Sequence, residues 1–453
     1  AFTITIHLEN GVSLVNETTG KTASGNVTVK GGEKFHLVAT TANMGSLKGK
    51  YAITSNFPLD FHAMLLKLES SQDIGFGYYT DSADLQITVD WPEEAVIEIT
   101  KKDGDTGKNL AGAVYGVYSD NACTKLIVKM PPTDSNGSSR VTLTKTQDTV
   151  YLKEITAPEG YVVQASSYGV KLVVGSTTKQ TVTDKEQKGN LTVYKEGEVF
   201  VGAVSDENGT SFQYEKRRQK GAVYNVYAAE DIVTAGGKTV YKKGAEVAKN
   251  LITGENGSVT VKNLPLGSYN VTEAQAPENF YNAKETKKVT ISYAGQTAEA
   301  AFSETTFTND RQKAVVQVIK KDKDTENTLS GGHFALFAAQ DMKTVDGKVA
   351  VKKDALIETA ITGTDGKAAF KADLPVGFSY YVKEVQAPAG YVRNEKDTYS
   401  FQFSYTNDEQ AKISFSHTFV NDRVSAAISL NKKDAETKEN KAQGDASLEN
   451  AVY

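Results

Sequence analysis

A lysine, a glutamate and an asparagine or aspartate recur in the same order three times along this chain. The lysines, Lys101, Lys195 and Lys320, lie in the blocks ITKKDGDTG, LTVYKEGE and QVIKKDKDT. The glutamates, Glu154, Glu273 and Glu384, lie in YLKEITAPEGYV, YNVTEAQAPENFY and YYVKEVQAPAGYV, each just ahead of an Ala-Pro turn and a tyrosine three or, in the second copy, four residues beyond the proline. Asp184, Asn309 and Asn421 close the set in TVTDKEQ, TFTNDRQ and TFVNDRV. Buried together, these residue types have a defined chemistry. An unpaired lysine in a dry interior prefers to be neutral, and a neutral amine is a nucleophile. A buried glutamic acid keeps its proton, so it can polarise an asparagine amide and pass protons to the departing ammonia. The product is an amide between lysine Nζ and asparagine Cγ, with proximity in the core supplying the effective concentration. With an aspartate as acceptor, as at Asp184, water leaves instead.

Such groups meet only if strands carry them. Period-2 alternation dominates each copy, as in Val96, Ile97 and Ile99 before Lys101, or Val289, Ile291 and Tyr293 in the second. Turn chemistry separates the runs at GENGS, GTDGK and DGDTGK. Several short strands per copy predict an antiparallel β-sandwich, in which first and last strands are commonly neighbours. We therefore expect an all-β chain of tandem sandwiches: 93–187, 188–311 and 312–423, joined by short polar linkers into a semi-rigid rod. Residues 424–453 begin a fourth copy at SLNKKDAET with Lys432, which has no partner glutamate or acceptor in this sequence. Residues 1–92 carry none of the three blocks and read as a separate β-rich domain, with LDFHAMLLKLE from Leu59 as a helix or a buried edge. Lys102, Lys321 and Lys433 fall one residue out of phase and belong on the opposite, solvated face.

Composition narrows the function. The 453 residues suggest about three domains by length alone, which the repeats revise to four units and a partial fifth. With 51 Lys and Arg against 56 Asp and Glu, the net charge of −5 advertises no nucleic-acid surface. The one cysteine, Cys123, excludes an intrachain disulfide and any Cys-based metal centre, so another staple is needed outside a cell. No apolar run approaches a membrane span. The start AFTITIHLEN, without a leader, and the end ENAVY, inside a strand pattern, read as an excised piece.

Lys-x-Asp with a following turn, the Glu-Ala-Pro-x-Gly-Tyr box and the terminal Thr-Asn-Asp strand resemble the Cna B-type (SpaA-like) domains of Gram-positive surface adhesins and pilins. The resemblance covers about 93–423 as three repeats and 424–453 as part of a fourth. It implies an inverse immunoglobulin-like sandwich and spontaneous isopeptide bonds, with triads Lys101–Glu154–Asp184, Lys195–Glu273–Asn309 and Lys320–Glu384–Asn421 and glutamate as the catalytic group. Two departures stand out: Asp184 replaces the usual Asn, and the second repeat lacks the Asp after its Lys (Glu196, Gly197) and inserts FVGAVSDENGTSFQYEKRRQK before GAVY.

The expected role is a structural stalk of a cell-wall-anchored adhesin or pilus subunit on the bacterial surface, not a turnover enzyme, with no cofactor or metal. Its partners would be other pilus or adhesin segments and a sortase acting on an anchor outside this sequence. The alternative is a host protein- or glycan-binding region, the site lying in 1–92 or in the insertion at 200–220. Other candidates are weaker. The five histidines lack metal spacing, DKDTEN lacks the central Gly and terminal Glu of a calcium loop, and NLPLG and DLPVG lack the Thr of a sortase signal and read as turns.

Overall fold

The computed structural model describes residues 94–445 without a break, preceded by 3–8, 12–16, 19–30, 35–39, 51–55, 72–74 and 83–89, and followed by 447–449 and 452. The described residues form strands and turns and no helix. Within the first 92 residues, strands Thr3–Leu8, Gly25–Lys30, Tyr51–Ser55 and Ala83–Val89 make one four-stranded sheet, and Val12–Asn16, Thr22–Ala23, Phe35–Ala39 and Gln72–Ile74 make another. The stretch LDFHAMLLKLE lies outside the described residues.

Three sandwiches follow, each of two four-stranded sheets. In the first, Glu94–Asp103 pairs in parallel with Thr177–Glu186 and antiparallel with Ser138–Thr144, while Val114–Tyr118 and Thr149–Thr156 form the centre of the facing sheet. The parallel first–last pairing recurs between Lys188–Asp206 and Ala300–Asn309, and between Lys313–Asp322 and Lys412–Arg423. Alternation places the core: along Glu94–Asp103 every second residue is buried, so Ile97, Ile99 and Lys101 face inward while Lys102 stays half-exposed. The apolar residues between the sheets, such as Ile97, Val117, Leu152 and Val182, lose essentially all contact with solvent, worth about 1.5–3 kcal/mol for each large side chain.

In the second unit the first strand runs on to Asp206 and turns back as Gly209–Arg218, making the insertion a long hairpin. It reaches the third unit. Phe200 packs edge-on against Phe378 and joins that unit's core. The Arg311 guanidinium lies 3.4 Å from the Tyr214 ring centre and pairs with Asp373, whose carbonyl accepts from the Tyr214 hydroxyl at 2.6 Å. Arg217 forks onto Asp346 at 2.9 and 3.2 Å. At the tip, Thr210 Oγ1 donates to the Leu356 carbonyl, and Gly209, at φ +141°, sits so close that a β-carbon there would meet the Ile357 carbonyl at 2.2 Å. Only glycine fits both the backbone angle and the gap. The hairpin's apolar face, which the sequence left open to a ligand, is given to the third sandwich.

The short polar linkers are themselves packed into the junctions. Gln187 and Gln312 are both buried, and their side chains bond to loops of the unit that follows. In 424–445, which forms no strand, the fourth copy still makes the Asp turn of its relatives: Asp434 Oδ1 accepts from the Glu436 and Thr437 amides, as Asp103 does from Asp105 and Thr106.

Candidate functional site

Each sandwich buries one lysine, one glutamate and the asparagine or aspartate that completes its triad. Lys101, Lys195 and Lys320 are wholly inaccessible, and Asp184, Asn309 and Asn421 are buried too. The lysine and the acceptor come from the parallel first and last strands of one sheet. Lys101 is opposite Val182, Lys195 opposite Phe307 and Lys320 opposite Phe419, each two residues before the acceptor. The glutamate comes from the facing sheet, opposite Tyr115, Tyr224 or Phe334.

In the first unit Lys101 Nζ donates to Glu154 Oε1 at 2.7 Å, to the Tyr115 hydroxyl at 2.8 Å, and to Asp184 Oδ1. The amide of Gln164 donates to the other oxygen of Glu154 at 2.9 Å. In the second, Lys195 Nζ is 2.9 Å from Glu273 Oε1 but outside hydrogen-bond geometry, and Asn309 Nδ2 has no partner. In the third, Asn421 Nδ2 donates to both oxygens of Glu384, at 3.1 and 2.8 Å, while Lys320 Nζ lies 3.4 Å from Glu384 Oε1. One carboxylate thus touches both the nitrogen that must lose a proton and the nitrogen that would leave.

Burial sets the protonation states. Desolvation lowers the pKa of Lys195 and of Lys320, with Glu273 and Glu384 pulling the other way. Desolvation also raises Asp184 to about 7, against the pull of Lys101. A lysine facing two carboxylates needs one of them protonated to leave the site neutral, and burial favours the neutral form of Asp184. Where the acceptor is asparagine, one lysine and one glutamate balance without it.

These sites are also where hydrogen bonding fails. Among the described residues, eight buried side-chain polar atoms lack a partner, and six of them belong to the triads: Asp184 Oδ2, Lys195 Nζ, Glu273 Oε2, Asn309 Nδ2, Lys320 Nζ and Asn421 Oδ1. Buried orphans are rare and costly, so their concentration at three equivalent points demands a chemical reason.

The Lys-x-Asp block and the tyrosine of the Ala-Pro box turn out to be one device. Tyr161 donates to Asp103 Oδ2 at 2.6 Å, and Tyr391 to Asp322 Oδ2 at 2.8 Å, tying the loop after the glutamate to the strand of the lysine. Although burial pushes Asp103 up, the hydrogen bonds from Tyr161, Thr106 and Asp105 outweigh it and hold the carboxyl below its usual range. In the second unit both partners are replaced together. Gly197 stands at the Asp position, and Phe280, not Tyr281, stands at the tyrosine position, correcting the alignment that placed the tyrosine four residues after the proline. A β-carbon on Gly197 would meet the Phe280 ring at 2.2 Å. Gly197→Asp alone is expected to cost about 1–3 kcal/mol by overpacking. Adding Phe280→Tyr should recover part of that loss, which a double-mutant cycle on urea midpoints would read.

Sequence reasoning passed over Tyr115 and Tyr224, which cover the triads from the second strand. The signal was present: both end a GAVY run, and Phe334 holds the equivalent place in GGHF. Tyr224 and Phe334 pack against Phe307 and Phe419 with ring centres 4.9 and 4.8 Å apart, sealing the sites from water. Cys123, at φ 53° in a turn, stands apart from all three.

Two packed sheets with parallel first and last strands, repeated in tandem, define a class of surface-protein β-sandwich. The model of the SpaA prealbumin-like fold domain matches residues 95–187, 208–306 and 314–418, and the chain belongs to that family. The second match begins beyond the strand that carries Lys195. Residues 1–51 match the TED-associated β-sandwich domain. No curated protein matches the chain. Among solved structures it is similar to the Bacillus anthracis TIE protein, at 21% identity and TM-score 0.46 over 93% of this chain and 68% of that one. It is also similar to BcpA, the major pilin subunit of Bacillus cereus, at 15% identity and TM-score 0.29 over 73% of this chain and 100% of that one. The major pilin SpaD from Corynebacterium diphtheriae is similar at 14% identity and TM-score 0.21, over 75% and 99%. The three repeats are SpaA prealbumin-like fold domains. Among the described residues no helix is long and apolar enough to cross a membrane.

Proposed function

We propose that this chain is a stalk segment of a Gram-positive surface adhesin or pilus, presented outside the cell, whose units 93–187, 188–311 and 312–423 each close an amide between first and last strands. The concentration of unsatisfied polar atoms at the three triads carries this reading. In the second and third units, the lysine proton passes to the glutamate, neutralising both. The free amine attacks Cγ of the asparagine to form the new C–N bond, the glutamate gives its proton to Nδ2 as the old C–N bond breaks and ammonia leaves, and the attacking nitrogen releases its surplus proton to the glutamate, which ends neutral. In the first unit Asp184 enters as the acid and water leaves. The lysine and acceptor are consumed, so the chemistry happens once per unit.

An amide at this place joins neighbouring parallel strands, so force along the chain runs through a covalent bridge rather than the sheet's hydrogen bonds. The 83-residue separation of Lys101 and Asp184 makes the closed loop long. By analogy with a disulfide, restriction of the unfolded chain contributes about 4–5 kcal/mol. Resistance to heat and proteolysis follows.

Intact mass of the denatured chain tests this. We expect it to be lighter than the sequence by two ammonia and one water molecules. The full sequence mass would overturn the proposal.

A further inference from the structure

Two of the three glutamate-bearing turns are held from outside their own unit. In the first unit, the Ala157 amide donates to Gln296 Oε1 at 2.8 Å, Gln296 Nε2 donates to the Ile155 carbonyl at 3.2 Å, and the Val163 amide donates to the Gln296 carbonyl at 2.9 Å. Gln296 belongs to the second unit, in the loop before its last strand. Ile155 follows Glu154 directly, and Val163 precedes Gln164, whose amide holds the Glu154 carboxylate. One residue of the next unit therefore fixes both ends of the turn that aims Glu154, the Ile155–Ala157 end through its side chain and the Val163 end through its backbone carbonyl.

The same contacts recur one unit along. The Ala276 amide donates to Asp408 Oδ2 and the Asn282 amide to the Asp408 carbonyl, both at 2.8 Å. Ala276 and Asn282 hold the places of Ala157 and Val163, and Asp408 holds that of Gln296. The buried linker glutamines lock these loops in place. Gln187 Nε2 donates to the Gly295 and Ala298 carbonyls at 2.9 and 2.7 Å, and Gln312 Nε2 to the Asn407 and Gln410 carbonyls at 2.6 and 2.9 Å. The third unit differs. At the place of Val163 it has Arg393, whose own Nη1 donates to the Val385 carbonyl at 3.2 Å, the place of Ile155.

We propose that Gln296 and Asp408 are positioning residues for the glutamates of the preceding units, so that bond closure in the first and second units depends on docking of the unit that follows, and that Arg393 positions the corresponding turn of the third. This rests on the amide-forming reading above. A glutamate must meet two nitrogens at once, and a displacement of about 1 Å in such a group can slow a reaction ~100-fold.

The test is a time course of full-chain synthesis in a cell-free system, quenched in denaturant and digested, with the cross-linked peptide of each unit quantified by mass spectrometry. Gln296→Ala should slow closure in the first unit by ~10-fold or more, leaving the second and third unchanged. Asp408→Ala should slow the second unit alone, and Arg393→Ala the third alone. Gln296→Glu keeps the acceptor for Ala157 but loses the donor to Ile155, so it should restore part of the rate. An unchanged first-unit rate in Gln296→Ala, or equal slowing of all three units, would overturn the inference while leaving amide formation intact. No cross-linked peptide in any unit of the unsubstituted chain would sink the amide-forming reading and this inference with it.

Discussion

Glu384→Gln should leave the third unit uncrosslinked, its asparagine amide retained, while the first and second units still lose water and ammonia. Glutamine matches glutamate in shape but cannot take the proton from Lys320 or return it to Asn421 Nδ2, the two nitrogens that Glu384 contacts. The loss has two parts. The bridge over a loop of roughly 100 residues accounts for about 4–5 kcal/mol. A buried lysine without its counter-charge adds a further penalty, on the order of 3–5 kcal/mol if the amine stays charged. A drop of 4–5 kcal/mol in a domain of this size corresponds to roughly 20–30 °C in the third unit's transition. Calorimetry of Glu384→Gln beside Asn421→Ala separates the parts, because the alanine variant loses the bridge while Lys320 and Glu384 keep each other as counter-charges. A third-unit peptide still lacking ammonia in Glu384→Gln would show that the carboxylate is dispensable.

Closure should slow with rising pH in the first unit and stay nearly level in the third. Asp184 must be protonated for water to leave, and burial, working against Lys101, places its pKa at about 7. First-unit closure should therefore fall as pH rises through 7, approaching ~10-fold per pH unit once the carboxylate is ionised. Lys320 must be neutral, and burial lowers its pKa against the pull of Glu384. Because that proton passes to Glu384 within the site, third-unit closure needs no net gain or loss of a proton and should stay nearly level over the range in which the first unit slows. Linkage gives the matching stability effect for the open first unit. A folded pKa above the unfolded value of 3.8 means that the folded state binds more protons between 3.8 and about 7, so stability is full below that window and is lost as pH rises through it. Synthesis in buffers from pH 5.5 to 8.5 with unit-resolved peptide quantification reads both trends. Parallel trends would contradict the assignment of Asp184 as a neutral acceptor. Asp184→Asn should then give the first unit the pH response of the third.

Legibility of the molecule followed the range of the interaction. Alternation of apolar residues reports burial directly, because successive side chains on a strand face opposite sides; Lys101 and Lys320 were thereby placed inward and Lys102 and Lys321 outward. Turns were equally plain, since an aspartate that accepts from the next two or three amides needs only its immediate neighbours. The recurrence of three blocks in one order supplied the tandem architecture and named the candidate residues. What it could not supply was why Gly197 and Phe280 change together, because their contact joins strands far apart in the chain.

The sequence by itself determined the strands, their inward faces, the three repeats and the nine residues proposed to react, for these depend on local periodicity and on repetition. Only the tertiary structure decided that the 200–220 insertion braces the third unit, that buried Gln187 and Gln312 join neighbouring sandwiches, and that Gln296 and Asp408 reach back to another unit's glutamate turn. Those contacts depend on the shapes of surfaces that meet only after folding, and a polar residue in a linker carries no local sign of whether water or a neighbouring domain will satisfy it.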